Sequence, residues 1–362
     1  MSPRGGDRPV TLRTVAERAG VSKSSVSRVL QGSPKVSEEA RAAVEAAMAE
    51  LGYRPNSVAQ SLGARRTKTI GVLVNDLRQP WFVDFLAGLG ERLAEHDLHP
   101  FVADGRLDRD LDDRLLNAFL DMRVDGLVLA GTMPVTDAIR DAAQRLPTVV
   151  AGMRDLRLPT VDVIAEDDAA GARLAVEHLV ALGHERIAHI AGPAGEVFRQ
   201  RRIGYEEAMR AAGLVEHIRV VPSDITEDDG FTCGAALFAS DPPTAVFTVN
   251  DLVCAGAMAA ATDAGLSVPG DVSFVGFDDS SIARMRWVGL TSVDIQPRTV
   301  GSVAADFLVE RITDPEREAR EHLVAPRLRV RSSSSSAPRP VASHQVVGEC
   351  STGASGEHGS TT

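Results

Sequence analysis

The chain has 362 residues, of which 44% are hydrophobic, 25% charged and 4% aromatic, values that suit a folded protein of two or three domains and exclude a fibrous or largely disordered one. The formal charge of −11 hides a split: residues 1–66 hold eleven basic against six acidic side chains, a net +5, and the rest carries −16. Such a basic head on an acidic body suits a polyanion that meets the head alone.

Residues 1–9 lack the apolar core of a secretory signal and are expected to be disordered. No run reaches the roughly 18 apolar residues of a membrane span. Cys233, Cys254 and Cys350 form no CxxC pair. A cytoplasmic protein with neither metal nor cofactor is the expectation.

Residues 10–54 predict three short helices. Thr11 caps the first, where Leu12, Val15, Ala16 and Ala19 repeat at helical spacing before Gly20 stops the run. Ser22 caps the second, which turns Val26, Val29 and Leu30 inward and leaves Lys23, Ser24, Ser25, Ser27 and Arg28 outward. Ser37 caps the third, with Glu38 and Glu39 in its first turn and Gly52 at its end. Ala16, Gly20 and Val26 supply the small contact residue, the turn glycine and the apolar anchor that a helix-turn-helix needs, so this head is expected to bind DNA.

After Pro55, Asn56 caps a segment with helical pattern that runs to Gly63. It is too short to be stable alone, so residues 55–66 are expected to form a conditional hinge helix and linker.

From Thr69 the chain alternates buried strands, at 70–74, 100–103, 126–130, 148–151, 187–191, 219–221, 245–249 and 272–277, with amphipathic helices. That pattern predicts an α/β body at 67–331, with two doubly wound parallel sheets in two lobes. The lobes are expected to be crossed near 161–165 and again near 290–297. Residues 332–362 open with five serines and continue rich in Pro, Gly, Ser and Thr, and a disordered tail is expected.

The run Val10-Thr11-Leu12-Arg13-Thr14-Val15-Ala16-Glu17-Arg18-Ala19-Gly20-Val21-Ser22, then Val26-Ser27-Arg28-Val29-Leu30 and Tyr53-Arg54-Pro55-Asn56, resembles the LacI/GalR family of bacterial transcriptional regulators. Ile70-Gly71-Val72, Leu182-Gly183-His184, Gly204-Tyr205, Asn250-Asp251 and Gly276-Phe277-Asp278-Asp279 extend the resemblance through the body.

The resemblance implies that Lys23, Ser24 and Arg28 reach base edges in the major groove, where Arg or Lys can donate to guanine O6 and N7. Thr11, Ser22, Ser25, Ser27 and Lys35 suit phosphate contacts. It also implies that Leu62, with Ala59 beside it and Asn56 capping, is a wedge in the minor groove of a near-palindromic operator, which requires a homodimer.

A periplasmic-binding-protein-like body implies an effector in the cleft between the lobes. Trp81 and Phe82 would cover one face of it, while Arg201, Asn250 and Asp278 supply a forked donor, an amide and an acceptor. A sugar is the first expectation and a nucleobase the second. Glu166-Asp167-Asp168 departs from the more usual Asp-Asn pair, and Gly152 stands where many members carry an acid.

The function implied is a repressor released from its operator by effector, or an effector-enhanced corepressor-type regulator. A solute-binding protein would share the body but lacks use for the head. No GxxxxGK[ST] or GxSxG occurs, and His178, His184 and His189 lack the four-residue spacing of a helical metal pair, so no enzyme is expected.

Overall fold

The computed structural model describes residues 10–30, 33, 35–53, 66–154 and 158–338. The expected disorder at 1–9 and the hinge residues Asn56, Ala59 and Leu62 lie outside the described residues.

In the head, Thr11 Oγ1 accepts from the Thr14 amide (3.4 Å) and Thr14 Oγ1 accepts from the Thr11 amide (2.8 Å), so α1 (Leu12–Ala19) starts with two otherwise orphan donors satisfied. Gly20 ends it at φ +65, a conformation L side chains adopt with strain. Ser22 Oγ accepts from the Ser25 amide (3.1 Å) at the start of α2 (Lys23–Leu30). Ser37 caps α3 (Glu38–Leu51). Val15, Ala16, Val26, Val29, Val44 and Ala47 close a core common to all three helices, with Ala16 and Val26 buried as the spacing requires.

The body begins with β1 (Thr69–Val74), α4 (Trp81–Ala94), β2 (His99–Asp104), α5 (Arg109–Met122), β3 (Gly126–Ala130), α6 (Asp137–Arg145), β4 (Thr148–Ala151) and β5 (Val161–Glu166). It crosses to a second lobe made of α7 (Asp168–Ala181), β6 (Ile187–Ala191), α8 (Glu196–Ala211), β7 (Arg219–Pro222), α9 (Glu227–Phe238), β8 (Ala245–Thr248), α10 (Asp251–Asp263), β9 (Ser273–Phe277) and β10 (Thr291–Asp294). The chain then returns as α11 (Pro297–Thr313) and β11 (Glu321–Val324), and crosses a third time into β12 (Arg327–Arg329).

The first sheet has the order β11-β5-β4-β3-β1-β2 and is parallel throughout; the second runs β12-β10-β9-β8-β6-β7, with only β12 antiparallel. Period-two side chains explain the layering. Ile70, Val72 and Val74 face α4 and α11 through Phe85, Leu89 and Ala304, while Leu73, Leu127 and Leu129 face α5 and α6 through Leu116 and Ile139. The second sheet is covered in the same way, by α9 and α10 on one side and α7 and α8 on the other.

Two expectations need correction. Residues 161–165 are not a crossing segment: they form β5, paired to β4 and β11, because their apolar run is buried on both faces. The crossing falls one residue past the strand, at Asp167. Second, the start of the expected tail is docked on the second lobe. Ser333 Oγ donates to Phe274 O (2.7 Å) and accepts from the Thr291 amide (2.8 Å), and the Ala337 amide donates to Leu182 O (2.9 Å). His184 binds the same stretch, its Nε2 lying 2.9 Å from Ser335 O. Serine hydroxyls here satisfy backbone groups at the starts of β9 and β10, which composition alone does not reveal.

The three crossing segments are laced together. The Asp167 amide reaches Val324 O (3.3 Å), and Gln296 Nε2 donates to Ala325 O (2.7 Å). No described helix is long and apolar enough to cross a membrane.

Behind that lace, Arg311 of α11 forms a two-pronged ion pair with Asp162 of β5, Nε to Oδ2 and Nη2 to Oδ1 both at 2.9 Å, with both side chains essentially inaccessible. Burial alone would raise the Asp162 pKa, but hydrogen bonds from Arg311 and Arg320 outweigh it and hold that carboxyl below its ordinary value. Arg311→Ala removes the two-pronged partner of a buried carboxylate, leaving it Arg320 alone, and is expected to lower the unfolding free energy by up to about 3–5 kcal/mol in urea melts; a loss below about 1 kcal/mol overturns the assignment.

Candidate functional site

The carboxyl ends of both sheets face one another across a narrow cleft of about 80 Å³, the place where open α/β sheets bind ligands. Its walls come from residues that follow strands directly: Asn75 after β1, Gly131 and Thr132 after β3, Gly152 after β4, Glu166 at the end of β5, Asn250 after β8 and Asp278 after β9. Trp81, Phe82, Arg201, Asn250 and Asp278, the five effector residues expected from sequence, all line it.

Trp81 and Phe82 open α4. The indole stacks on Phe85 (centroids 4.8 Å, 14° between planes) and meets Phe82 edge-on at 5.0 Å. Phe82 is buried and belongs to the core of the first lobe as well as to the wall. Gly152 stands at φ +78, and a Cβ placed there would lie 3.4 Å from the indole ring. A side chain at that position would press on Trp81.

Arg201, buried on α8, donates from Nε to Asp168 Oδ1 (2.8 Å) and from Nη1 to Val249 O (2.6 Å), and Nη1 lies 3.5 Å from Asp278 Oδ1. Its guanidinium lies 3.9 Å above the Phe277 ring. Asp278 has φ +101, a strained setting for a non-glycine residue, and its amide donates to Val293 O (2.9 Å). No helix starts directly after Asp278, so its carboxyl is not a helix cap.

Asn250 does two things at once. Its Oδ1 accepts from the Val253 amide (2.9 Å), capping α10, while Nδ2 donates across the cleft to Gln79 Oε1 (3.3 Å). Gln79 Nε2 in turn donates to Ile225 O (3.3 Å), so one side chain of the first lobe is bonded to two points on the second. A further bridge joins Arg284 to Asp84.

The charge balance is unusual. Burial, with smaller contributions from neighbouring carboxylates, pushes Asp278 up to about 8 against the partial relief that Arg201 provides. Glu166 is raised for the same first reason, burial, and then by Asp168. His189, by contrast, is a core histidine. It stacks on Phe247 at 4.6 Å, its Nδ1 lies 3.1 Å from Phe247 O, and burial pulls it down to about 4.

In the head, Lys23, Ser24 and Arg28 are exposed on the outer face of α2, opposite buried Val26 and Val29, while Ser25 and Ser27 are half-buried. Lys23 and Arg28 form no ion pair with any described residue, whereas Arg13 and Arg18 pair with Glu17 and Glu50. Ser22 Oγ is shared with Ser24 (2.7 Å) and Ser25 (2.9 Å), Thr11 is used as a cap, and Lys35 is exposed beyond α2.

Sequence reasoning did not single out Asn75, Gln79, Thr132 or Phe198 as wall residues. Gln79 had one available signal, its place just before Pro80 and Trp81 at a helix start. Among the described residues no group of three metal-ligating side chains converges.

A three-helix DNA-binding head and a two-lobed sensor body define a ligand-responsive regulator. Residues 11–56 match the profile of bacterial regulatory proteins of the lacI family, and residues 176–334 that of a periplasmic binding protein-like domain. The chain is 34% identical over 329 residues to the ribose operon repressor of Escherichia coli (strain K12), covering 89% of this chain and 99% of that one. It superposes on the transcriptional regulator CelR–cellobiose complex with TM-score 0.67, at 33% identity over 90% of this chain and all of the other. It also superposes on the lac repressor dimer bound to operator and the anti-inducer ONPF with TM-score 0.80, at 31% identity over 91% of this chain and all of the other. The chain belongs to the LacI family of bacterial transcriptional regulators.

The raised Asp278 pKa sets a pH dependence. In the unfolded chain this carboxyl ionises near about 4, in the folded chain near 8, so the folded state holds the extra proton between these values. Its contribution to stability is complete below the unfolded value and is lost as pH rises toward 8. The melting temperature is therefore expected to fall between pH 5 and pH 8, and Asp278→Asn to flatten that slope. A variant profile as steep as the parent's overturns the assignment.

Proposed function

We propose that this chain is an operator-binding repressor, acting as a homodimer in the cytoplasm, whose grip on DNA is released by a small polar effector held between the lobes. The observation that carries the reading is the Asn250–Gln79 hydrogen bond. An effector residue of one lobe is itself part of what holds the other lobe, so a ligand that reaches Asn250 changes the lobe contact. A ligand shifts a conformational equilibrium only by its differential affinity for the two states, and a side chain shared between ligand and lobe contact provides that difference.

In this reading Trp81 and Phe82 cover an apolar face of the effector, Arg201, Asn250 and Asp278 bond its polar groups, and a sugar is the favoured class. The ribose operon repressor and the CelR–cellobiose complex support that class by their names. A change of lobe orientation reaches the DNA through residues 55–66, where Asn56 caps a hinge helix and Leu62, beside Ala59, is the minor-groove wedge that kinks the operator centre. Two copies must present their hinges together, which is why the active form is a dimer.

Lys23, Ser24 and Arg28 are the base-reading residues, and Thr11, Ser22, Ser25, Ser27 and Lys35 the phosphate-positioning ones. The test is selection of duplexes by the purified chain, followed by footprinting. A protected site with two-fold symmetry is expected. Arg28→Ala should weaken that site by about 1–3 kcal/mol and relax one base pair per half-site, leaving binding to random duplex much less affected. Equal losses on specific and random duplex overturn the base-reading role, and the lack of any symmetric footprint overturns the function.

A further inference from the structure

Glu166 is the last residue of β5 and lines the cleft, yet it is 96% buried and its Oε1 has no hydrogen-bond partner among the described residues. A buried carboxyl oxygen without a hydrogen-bond partner is costly when ionised, and such a group either stays protonated or is paired with a cation. Its neighbours in the acidic run do not share this condition. Asp167 Oδ1 accepts from the Ala170 amide (2.9 Å) as the cap of α7, and Asp168 takes Nε of Arg201.

The nearby cations are already committed. Arg201 divides one positive charge between Asp168 and Asp278, Arg154 is paired to Glu321 (2.6 Å), and Arg199 to Glu196 (2.6 Å). Glu166, Asp168 and Asp278 therefore outnumber the single guanidinium set among them. The same cleft is lined by the apolar side chains Trp81, Phe82, Phe198 and Ile225 and by the amides of Asn75, Gln79 and Asn250. The site thus combines acid with apolar surface, including an indole able to attract positive charge.

We propose that the effector is a protonated amine carried on a sugar skeleton, an amino sugar, and that Glu166 with Asp278 forms the subsite for its ammonium group. This rests on the reading of the cleft as the effector site. A hydroxyl brings one donor and no charge; an ammonium brings three donors and the charge that the wall lacks. Burial holds both carboxyls above their ordinary range, so an entering cation lowers them and expels protons. Proton release thus accompanies amine binding and does not accompany binding of the matching neutral sugar.

Calorimetry on the full chain, with D-glucosamine against D-glucose, D-galactosamine against D-galactose and D-mannosamine against D-mannose, tests the assignment. At least one amine is expected to bind about tenfold or more tighter than its neutral partner, a free-energy difference of about 1.4 kcal/mol. It should release protons when the titration is repeated in buffers of different ionisation heat. Glu166→Gln is expected to bring the ratio of the two affinities close to one, and the ratio measured on the unaltered chain decides the matter even if that variant folds poorly. Neutral sugars binding as well as or better than their amines overturns the inference and leaves the effector reading standing. If no sugar of either series binds or releases the operator, both fall.

Discussion

One buried guanidinium organises the second lobe's half of the cleft. Arg201 reaches the start of α7 through Asp168, the end of β8 through Val249 and the turn after β9 through Asp278, and it lies on the Phe277 ring. Each of these groups belongs to a different segment, so one side chain sets their spacing. The arrangement holds because charge and partners are mutually required: a guanidinium out of water needs carboxylates, and carboxylates at that depth need a cation. At Asp278 the backbone sits at positive φ, with its carboxyl beside Arg201 and its amide bonded to Val293.

The first lobe faces this arrangement with Trp81 and Phe82, the amides of Asn75 and Gln79, and the Glu166 carboxyl. Among the described residues the halves are joined by two hydrogen bonds from Gln79, an ion pair between Arg284 and Asp84, Trp81 packed against both cores, and the laced crossings at Asp167, Gln296 and Ala325. The lace lies beside the covalent connections between the lobes. The Gln79 bonds lie within the cleft wall, at amide groups that the proposed effector would reach. In the proposed function the crossings serve as the pivot and the Gln79 bonds as the latch that a ligand replaces.

Much of this was legible in the sequence. The head's caps, turn glycine and apolar spacing are local features, and local chemistry decides short helices. The strands at β1, β3 and β6 announced themselves as continuous apolar runs, since strands buried on both faces have no reason to alternate. β11 and β12 went unseen because they are short, largely exposed strands whose pairing is non-local. The docked serines at 332–335 were hidden by a composition that also describes free linkers. Glu166, Asp167 and Asp168 are the sharpest case: three adjacent acids serve as an unpartnered wall residue, a helix cap and the mate of a buried arginine. Only the end of β5 separates these roles, and that boundary depends on where β4 and β11 lie.

The polypeptide enters the body on the first lobe, where Thr67 and Lys68 amides donate to Asp125, and the last described residues leave from the second, where Ala337 is bonded to Leu182. The two ends of the body are thus anchored to separate rigid halves. Dyes attached just outside these anchors would ride one on each half and convert rotation about the pivot into a change in energy transfer, so the connectivity itself furnishes an optical gauge of the molecule's state.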